Sequence, residues 1–323
     1  NIFELFDYNI AYKIRLQEAL EEDLLCPFHY FGVTDYEKDG VIIEETTNFE
    51  NLVAEERVKF IIEKIQYYGV SRHKIRGLVF CSRKEEAKKL SEIFNNRGFY
   101  TAFLSGEDSI SKREEVVERL ENGELDYIFT VDIFNEGIDI PSVNQIIMLR
   151  NTQSSIIFIQ QLGRGLRKHG SKDYVTIIYF ICNYKNNYMI PMALSGDMSY
   201  NKDSLRKGTF DTSYITGISS INFEAIAKER IYKAIDDVKL DSMKSIKDAY
   251  AKLKIRLNRV PMLVDFLEQK SIDPYLIVSG KVSNIKTYYD FLLKNDDAIG
   301  KISELENKYL MIISREFLTG VRK

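Results

Sequence analysis

The stretch Gly77-Leu78-Val79-Phe80-Cys81-Ser82-Arg83-Lys84-Glu85-Glu86-Ala87-Lys88-Lys89-Leu90 decides the fold class. Its first five residues carry no charge and read as a short strand covered on both faces. The Ser-x-x-Glu pattern at Ser82 and Glu85 is a capping box, and it opens a helix that runs to about Asn96, before Gly98. The same grammar repeats downstream. Phe99 to Leu104 reads as a strand, and Ser111 to Glu114 as a second capping box whose helix stops near Asn122-Gly123. Tyr127 to Val131, Asn144 to Leu149 and Tyr174 to Phe180 read as strands, and Ser154 to about Arg167 as a helix. Strand and helix in strict alternation predict an α/β fold, a doubly wound parallel sheet with ligands at the carboxyl ends of its strands.

Upstream, an amphipathic helix is expected around Ile10 to Leu20, a strand over Phe28 to Val33, a polar loop over 34–48, and a long helix from about Glu50 to Tyr68 that Gly69 ends. Past about residue 184 the rhythm changes. Residues 196–219 are rich in Ser, Gly, Thr, Asp and Asn and read as a linker or exposed loop. From Phe223 on the pattern is mainly helical, with Lys228, Arg230, Lys233, Lys239, Lys244, Lys247, Lys252, Lys254, Arg256 and Arg259 among apolar residues. The expected organisation is a lead-in over 1–49, the α/β domain over 50–183 and a second, mainly helical domain over 184–323.

Composition bounds the function. The chain has 323 residues and is 45% hydrophobic, enough for about two packed domains. The net charge of −3 excludes a nucleic-acid binder held by a global positive field, so any such contact must come from local groups. Cys26, Cys81 and Cys182 lie far apart with no zinc spacing and read as reduced thiols of a cytoplasmic protein. No apolar run reaches the roughly 18 residues of a membrane-spanning helix.

Four clusters could carry chemistry. Gln160, Arg164 and Arg167 fall at i, i+4 and i+7 of the expected helix, a stripe whose two planar forks suit a phosphate. Gly163 and Gly165 within that helix cost about 1 kcal/mol each relative to alanine, which implies a close approach to the backbone there. At the exit of an apolar strand, Thr130 can donate to a phosphate, Gly137 permits a turn and Asp139 can accept from a ribose hydroxyl. Ser82 and Arg83 lie at another strand end and helix start, a ready phosphate site, and Ser105-Gly106 with Arg113 behind it is similar. Each cluster alone also reads as an ordinary basic helix end, strand exit or cap.

Their order is more specific. Residues 76–181 resemble the second RecA-like domain of superfamily 2 helicases and translocases, best the DEAD/DEAH-type branch with restriction-enzyme-like motors. Gly77 to Ser82 is similar to motif IV, Thr130 to Asp139 to motif V, and Gln160-Gln161-Leu162-Gly163-Arg164-Gly165-Leu166-Arg167 to motif VI. The resemblance implies that Arg164 and Arg167 meet the γ-phosphate of ATP, one as an arginine finger, a device that contributes about 10³ to 10⁵ in rate. It implies that Gln160, Gly163, Gly137 and Asp139 border the nucleotide, and that Thr130, Ser82, Arg83 and Gly106 touch nucleic acid. Gln160 stands where DEAD-box RNA helicases carry His, which favours DNA over RNA. The lead-in resembles the linker that joins two motor lobes. ATP and Mg²⁺ would be bound only together with a first RecA-like lobe. The chain has no Gly-x-x-x-x-Gly-Lys-Ser/Thr and no Asp-Glu-x-His/Asp, so it is expected not to hydrolyse ATP by itself. Arg259 to Leu267, with Ser271 to Pro274 and Tyr288 to Leu292, resembles the region after the motor in bacterial helicases that often carry an N-terminal phospholipase-D-like nuclease. The alternative is a catalytically silent helicase-like binding or scaffold module. A Rossmann enzyme is disfavoured because no Gly-x-Gly-x-x-Gly follows the first strand.

Overall fold

A computed structural model describes residues 16–37, 47–72, 74–131, 140–151, 159, 162–163, 165–197, 199, 201–212, 215, 217–239, 242–269, 271–278, 285–295, 297 and 300–320. Among these, seven strands form one all-parallel sheet: β1 (Phe28–Thr34), β2 (Gly77–Cys81), β3 (Thr101–Leu104), β4 (Tyr127–Thr130), β5 (Gln145–Leu149), β6 (Val175–Ile181) and β7 (Ser220–Phe223). Their order is β3-β4-β2-β5-β6-β1-β7. This is the expected doubly wound sheet. Every residue of β2, β4, β5 and β6 is buried, so no face is left to water. Val79, Ile147 and Ile178 join the core on one face, while Ile146 meets Gly165.

Helix α1 (Leu16–Glu21) overlaps the end of the helix expected around Ile10 to Leu20, whose earlier residues lie outside the described ones. The single helix expected from Glu50 is two helices, α2 (Phe49–Leu52) and α3 (Glu55–Tyr68). Ala54 is extended between them, and the Leu52 carbonyl left open at the end of α2 accepts from Arg57 Nη1 at 2.5 Å. Gly69 ends α3 with φ of +62°. Helices α4 (Lys84–Asn96) and α5 (Ile110–Glu121) start differently from expectation. The N-cap of α4 is Arg83, and the carboxylate that reaches back to Ser82 belongs to Glu86, not Glu85, because Glu86 also faces a buried arginine. The N-cap of α5 is Ser109, which accepts from the Lys112 amide, so the helix begins before the expected box at Ser111.

The sheet extends beyond residues 50–183 on both sides. β1 comes from the lead-in, and β7 covers its outer edge, with the Phe223 ring over Gly32. The stretch 196–219 is not all linker, since α7 (Lys202–Phe210) lies within it, after α6 (Met189–Ser195). α8 (Ala225–Asp237) follows β7 and packs on β1. Two compact units result: residues 14–196 with 206–237, and residues 1–13, 197–205 and 238–323.

The second unit is helical, as expected, with α9 (Met243–Leu257), α10 (Leu263–Glu268), α11 (Pro274–Val278), α12 (Tyr288–Leu293) and α13 (Glu304–Gly320). Ile246, Tyr250, Leu253, Phe266, Ile277 and Phe291 form its core. Several basic residues in the expected basic run are bound internally. Lys254 pairs with Asp297, and Arg259 holds Asp265 through two bonds of 2.6 and 2.7 Å. In the first unit, Arg230 is buried and binds the Ile181 carbonyl and Glu37.

Candidate functional site

Parallel strands point their carboxyl ends to one edge, and four expected residues gather there. Ser82 follows β2, Arg83 caps α4, Thr130 ends β4 and Gly106 lies two residues past β3. Thr130 is paired with Phe80 on one side and Leu104 on the other. Its side chain is fully buried, and Oγ1 has no hydrogen-bond partner among the described residues. Such an orphan hydroxyl carries a desolvation cost of about 1–3 kcal/mol. Gly106 is exposed; a Cβ there would meet nothing within 4 Å, so a ligand can approach its backbone freely. Its carbonyl accepts from Arg113 Nη2 at 2.7 Å. Arg83 is half-buried and donates from Nη2 to the Thr47 carbonyl at 2.9 Å. Arg150, buried just past β5 on the same edge, is a guanidinium the sequence reading does not single out.

Ser82 is exposed, but both its donors are engaged. Its amide and its hydroxyl donate to Glu86 Oε2 at 3.0 and 2.6 Å. A phosphate at this strand end must draw the hydroxyl off Glu86 or be met by other groups. Beneath it lies a buried ionic cluster. Arg57 donates to Asp35 through Nε and Nη2, and to Glu86 Oε1 at 3.2 Å. Cys182 Sγ is 3.2 Å from the same Asp35 carboxylate. Burial alone would pull the Arg57 guanidinium down, but Asp35 and Glu86 hold it well above its usual range. The cluster joins the exits of β1, β2 and β6 to α3 and α4. A charge on the apolar face of α3, among Val58, Ile61 and Ile65, is the one sequence signal that points to it.

The stretch expected to form motif VI is built differently from a continuous helix. Gln160 and Arg164, like Gly137 and Asp139, lie outside the described residues. Leu162 and Gly163 are helical, after which the chain turns: the Gly165 amide donates to Leu162 O at 3.0 Å and the Leu166 amide to Gly163 O at 3.3 Å. Arg167 therefore lies beyond the helix and is exposed. The close approach that the glycines imply is found at Gly165 alone. A Cβ there would sit 3.0 Å from Ile146 Cδ1 and 3.1 Å from Val143 Cγ1, whereas Gly163 faces open space. The turn lies at the opposite edge of the sheet from Ser82 and Thr130. The Cys26 amide, just before β1, donates to Leu166 O at 2.7 Å, and Lys172 Nζ donates to Val143 O at 2.7 Å and to Gly165 O. Lys172 falls in the polar run His169-Gly170-Ser171-Lys172-Asp173, which carries no sign of burial, yet it is only 5% exposed.

The cysteines are free and buried, and burial raises the thiols of Cys26, Cys81 and Cys182 above their usual range. Among the described residues, no group of three His, Cys, Asp or Glu side chains is placed to hold a metal, and no helix is long and apolar enough to cross a membrane.

Residues 56–169 match the helicase conserved C-terminal domain, and residues 246–323 match a domain of unknown function, DUF8090. The chain is similar to the putative ATP-dependent helicase IRC3 of Saccharomyces cerevisiae, 26% identical over 228 residues, which are 68% of this chain and 32% of that protein. It is similar to the ATP-dependent RNA helicase SrmB of Haemophilus influenzae, 29% identical over 113 residues, 35% of this chain and 25% of that one. Of solved structures, a fragment of a putative HsdR subunit of a type I restriction enzyme from Vibrio vulnificus overlays with a TM-score of 0.43 at 21% identity, covering 55% of this chain and 36% of that one. The chain thus spans a third or less of the length of these two relatives. Residues 56–169, the span that matches the helicase conserved C-terminal domain, include strands β2 to β5 of the parallel sheet.

Proposed function

We propose that this chain supplies the second motor lobe of an ATP-dependent helicase or translocase that moves on nucleic acid, with DNA the favoured strand. The observation that carries the reading is the coincidence of the helicase C-terminal domain match with a sheet whose carboxyl edge gathers Ser82, Arg83, Gly106 and Thr130. That edge offers a nucleic-acid backbone an open glycine at Gly106 and the half-buried Arg83. Arg167, exposed at the other edge, is the group to meet the γ-phosphate of ATP, together with Arg164. A guanidinium cannot lose its charge near neutral pH and presents a fork of donors, so it stabilises negative charge that develops on a transferred phosphoryl group. ATP supplies the free energy when bound, and Mg²⁺ with the P-loop belongs to a first lobe outside this sequence. Gln160 in place of His is what favours DNA.

The test is ATPase activity in the natural protein that contains this chain, with and without single-stranded DNA and RNA of one sequence. DNA-stimulated hydrolysis is expected, falling by about 10³-fold or more in Arg167→Ala. Stimulated hydrolysis that survives Arg167→Ala would falsify the arginine-finger role, and a natural protein without stimulated hydrolysis would leave the silent scaffold reading. Equal stimulation by RNA would remove the preference for DNA.

A further inference from the structure

We infer that Lys172 is a positioning residue for Arg167, acting through the turn at residues 162–166; this rests on the reading of Arg167 as the ATP-contacting arginine. An ammonium that is 5% exposed is costly to bury, several kcal/mol before its bonds are made. Lys172 meets that cost with two backbone carbonyls from different parts of the chain, Val143 O at the entry to β5 and Gly165 O in the turn. A lysine on a polar loop could reach solvent freely, so its inward course needs a reason. The reason lies in the turn. Gly165 and Leu166 stand between Arg164 and Arg167, and both of their carbonyls are bound: Gly165 O by Lys172, Leu166 O by the Cys26 amide. The third side is closed by Ile146 and Val143 against the Gly165 α-carbon. With the helix already ended, no run of intrahelical bonds fixes the direction in which Arg167 leaves the chain. The clamp does that instead. Placement matters because loss of alignment by about 1 Å at a reacting centre can cost on the order of 10²-fold in rate.

Lys172→Met keeps the aliphatic stem and removes the donors. In the natural protein it is expected to lower kcat for nucleic-acid-stimulated ATP hydrolysis by about tenfold or more with KM for ATP nearly unchanged, because the lost contact acts in the transition state. A residue that acts through Arg167 adds nothing once Arg167 is gone, so Lys172→Met/Arg167→Ala should match Arg167→Ala alone. On the 323-residue chain itself, amide hydrogen exchange of Leu166 and Arg167 should quicken in Lys172→Met while that of β5 and β6 holds. If Lys172→Met does not fold, Lys172→Gln, whose shorter side chain cannot reach both carbonyls, carries the same measurements with a smaller expected loss. Unchanged kcat in a protein that Arg167→Ala inactivates overturns the inference, as does a further loss in the double variant. Arg167→Ala without effect overturns the underlying reading and this one with it, and the exchange data then report separately on whether Lys172 holds the turn.

Discussion

Replacing Arg57 by Met is the most demanding test of how the carboxyl edge is built. The side chain is 1% exposed and binds Asp35, Glu86 and the Leu52 carbonyl, all of them inside the protein. Methionine fills much of the volume but leaves two buried carboxylates facing each other and the last carbonyl of α2 without its donor. Breaking a buried pair from one side costs about 3–5 kcal/mol, more than the transfer of one apolar side chain returns. For a unit of this size each kcal/mol is worth about 2–4 °C, so a fall in Tm of about 6–20 °C is expected. The assay is urea and thermal unfolding followed by far-UV circular dichroism. A second variant separates charge from packing. Arg57→Met/Glu86→Gln removes one of the orphaned charges, and it should be more stable than Arg57→Met alone although it carries one more substitution. A loss below about 1 kcal/mol in Arg57→Met, or a double variant less stable than the single, would refute the account of the cluster as a mutually dependent buried network.

Gly32→Ala would place a Cβ 2.8 Å from Phe223 Cε1 and 2.9 Å from Ile181 Cδ1, so β1 must shift against β6 and β7; a loss of about 1–3 kcal/mol is expected, largely relieved by Phe223→Ala in a second unfolding series. In the helical unit, the hydrogen bond from Arg259 holds the Asp265 carboxyl below its usual range, and that from Lys254 does the same for Asp297. A depressed folded-state pKa stabilises at neutral pH and is lost as pH falls through that value, so this unit should weaken below about pH 4. Circular dichroism against pH should show that fall, and Asp265→Asn should flatten it.

The sheet is legible because its signal is local. Five apolar residues at Gly77–Cys81 or Gln145–Leu149 cannot be solvated on either face, and the helices between them fix the crossovers. Strand β7 escapes the same reading. Ser220-Ile221-Asn222-Phe223 buries one residue fully, lies in a polar stretch, and becomes a strand only because β1 presents an edge to it. The expected clusters at Ser82 and Thr130 fall on strand ends as read, since position at a carboxyl edge follows from topology alone. What sequence could not supply is which partner a polar group finds. Glu86 rather than Glu85 reaches Ser82 because Arg57 lies behind it, and Lys172 turns inward because two carbonyls converge on it. The close approach expected at the glycines is found at Gly165, where the approaching atoms are those of Ile146 in β5 and of Val143 before it.

The two edges are about 16 Å apart, five residues at roughly 3.3 Å each, and the strands β2, β4, β5 and β6 between them are buried. One element has a bond to each edge. Before β1, the Cys26 amide holds Leu166 beside Arg167; after it, Asp35 holds Arg57, which holds Glu86, which holds Ser82. Its neighbours β6 and β7 fix its register over the strand, from Phe28 opposite Val175 to Thr34 opposite Ile181. A displacement of β1 must therefore disturb the arginine turn and the Ser82 exit together, whereas a change confined to Arg57 acts at the carboxyl edge and leaves the bond from the Cys26 amide to Leu166 in place. Gly32→Ala lies on β1 and Arg57→Met does not. In the natural protein the first should lower both nucleic-acid affinity and the kcat of ATP hydrolysis. The second should weaken nucleic-acid binding while ATP hydrolysis at saturating strand is retained. An unchanged kcat in Gly32→Ala would show that the two edges are not joined through β1.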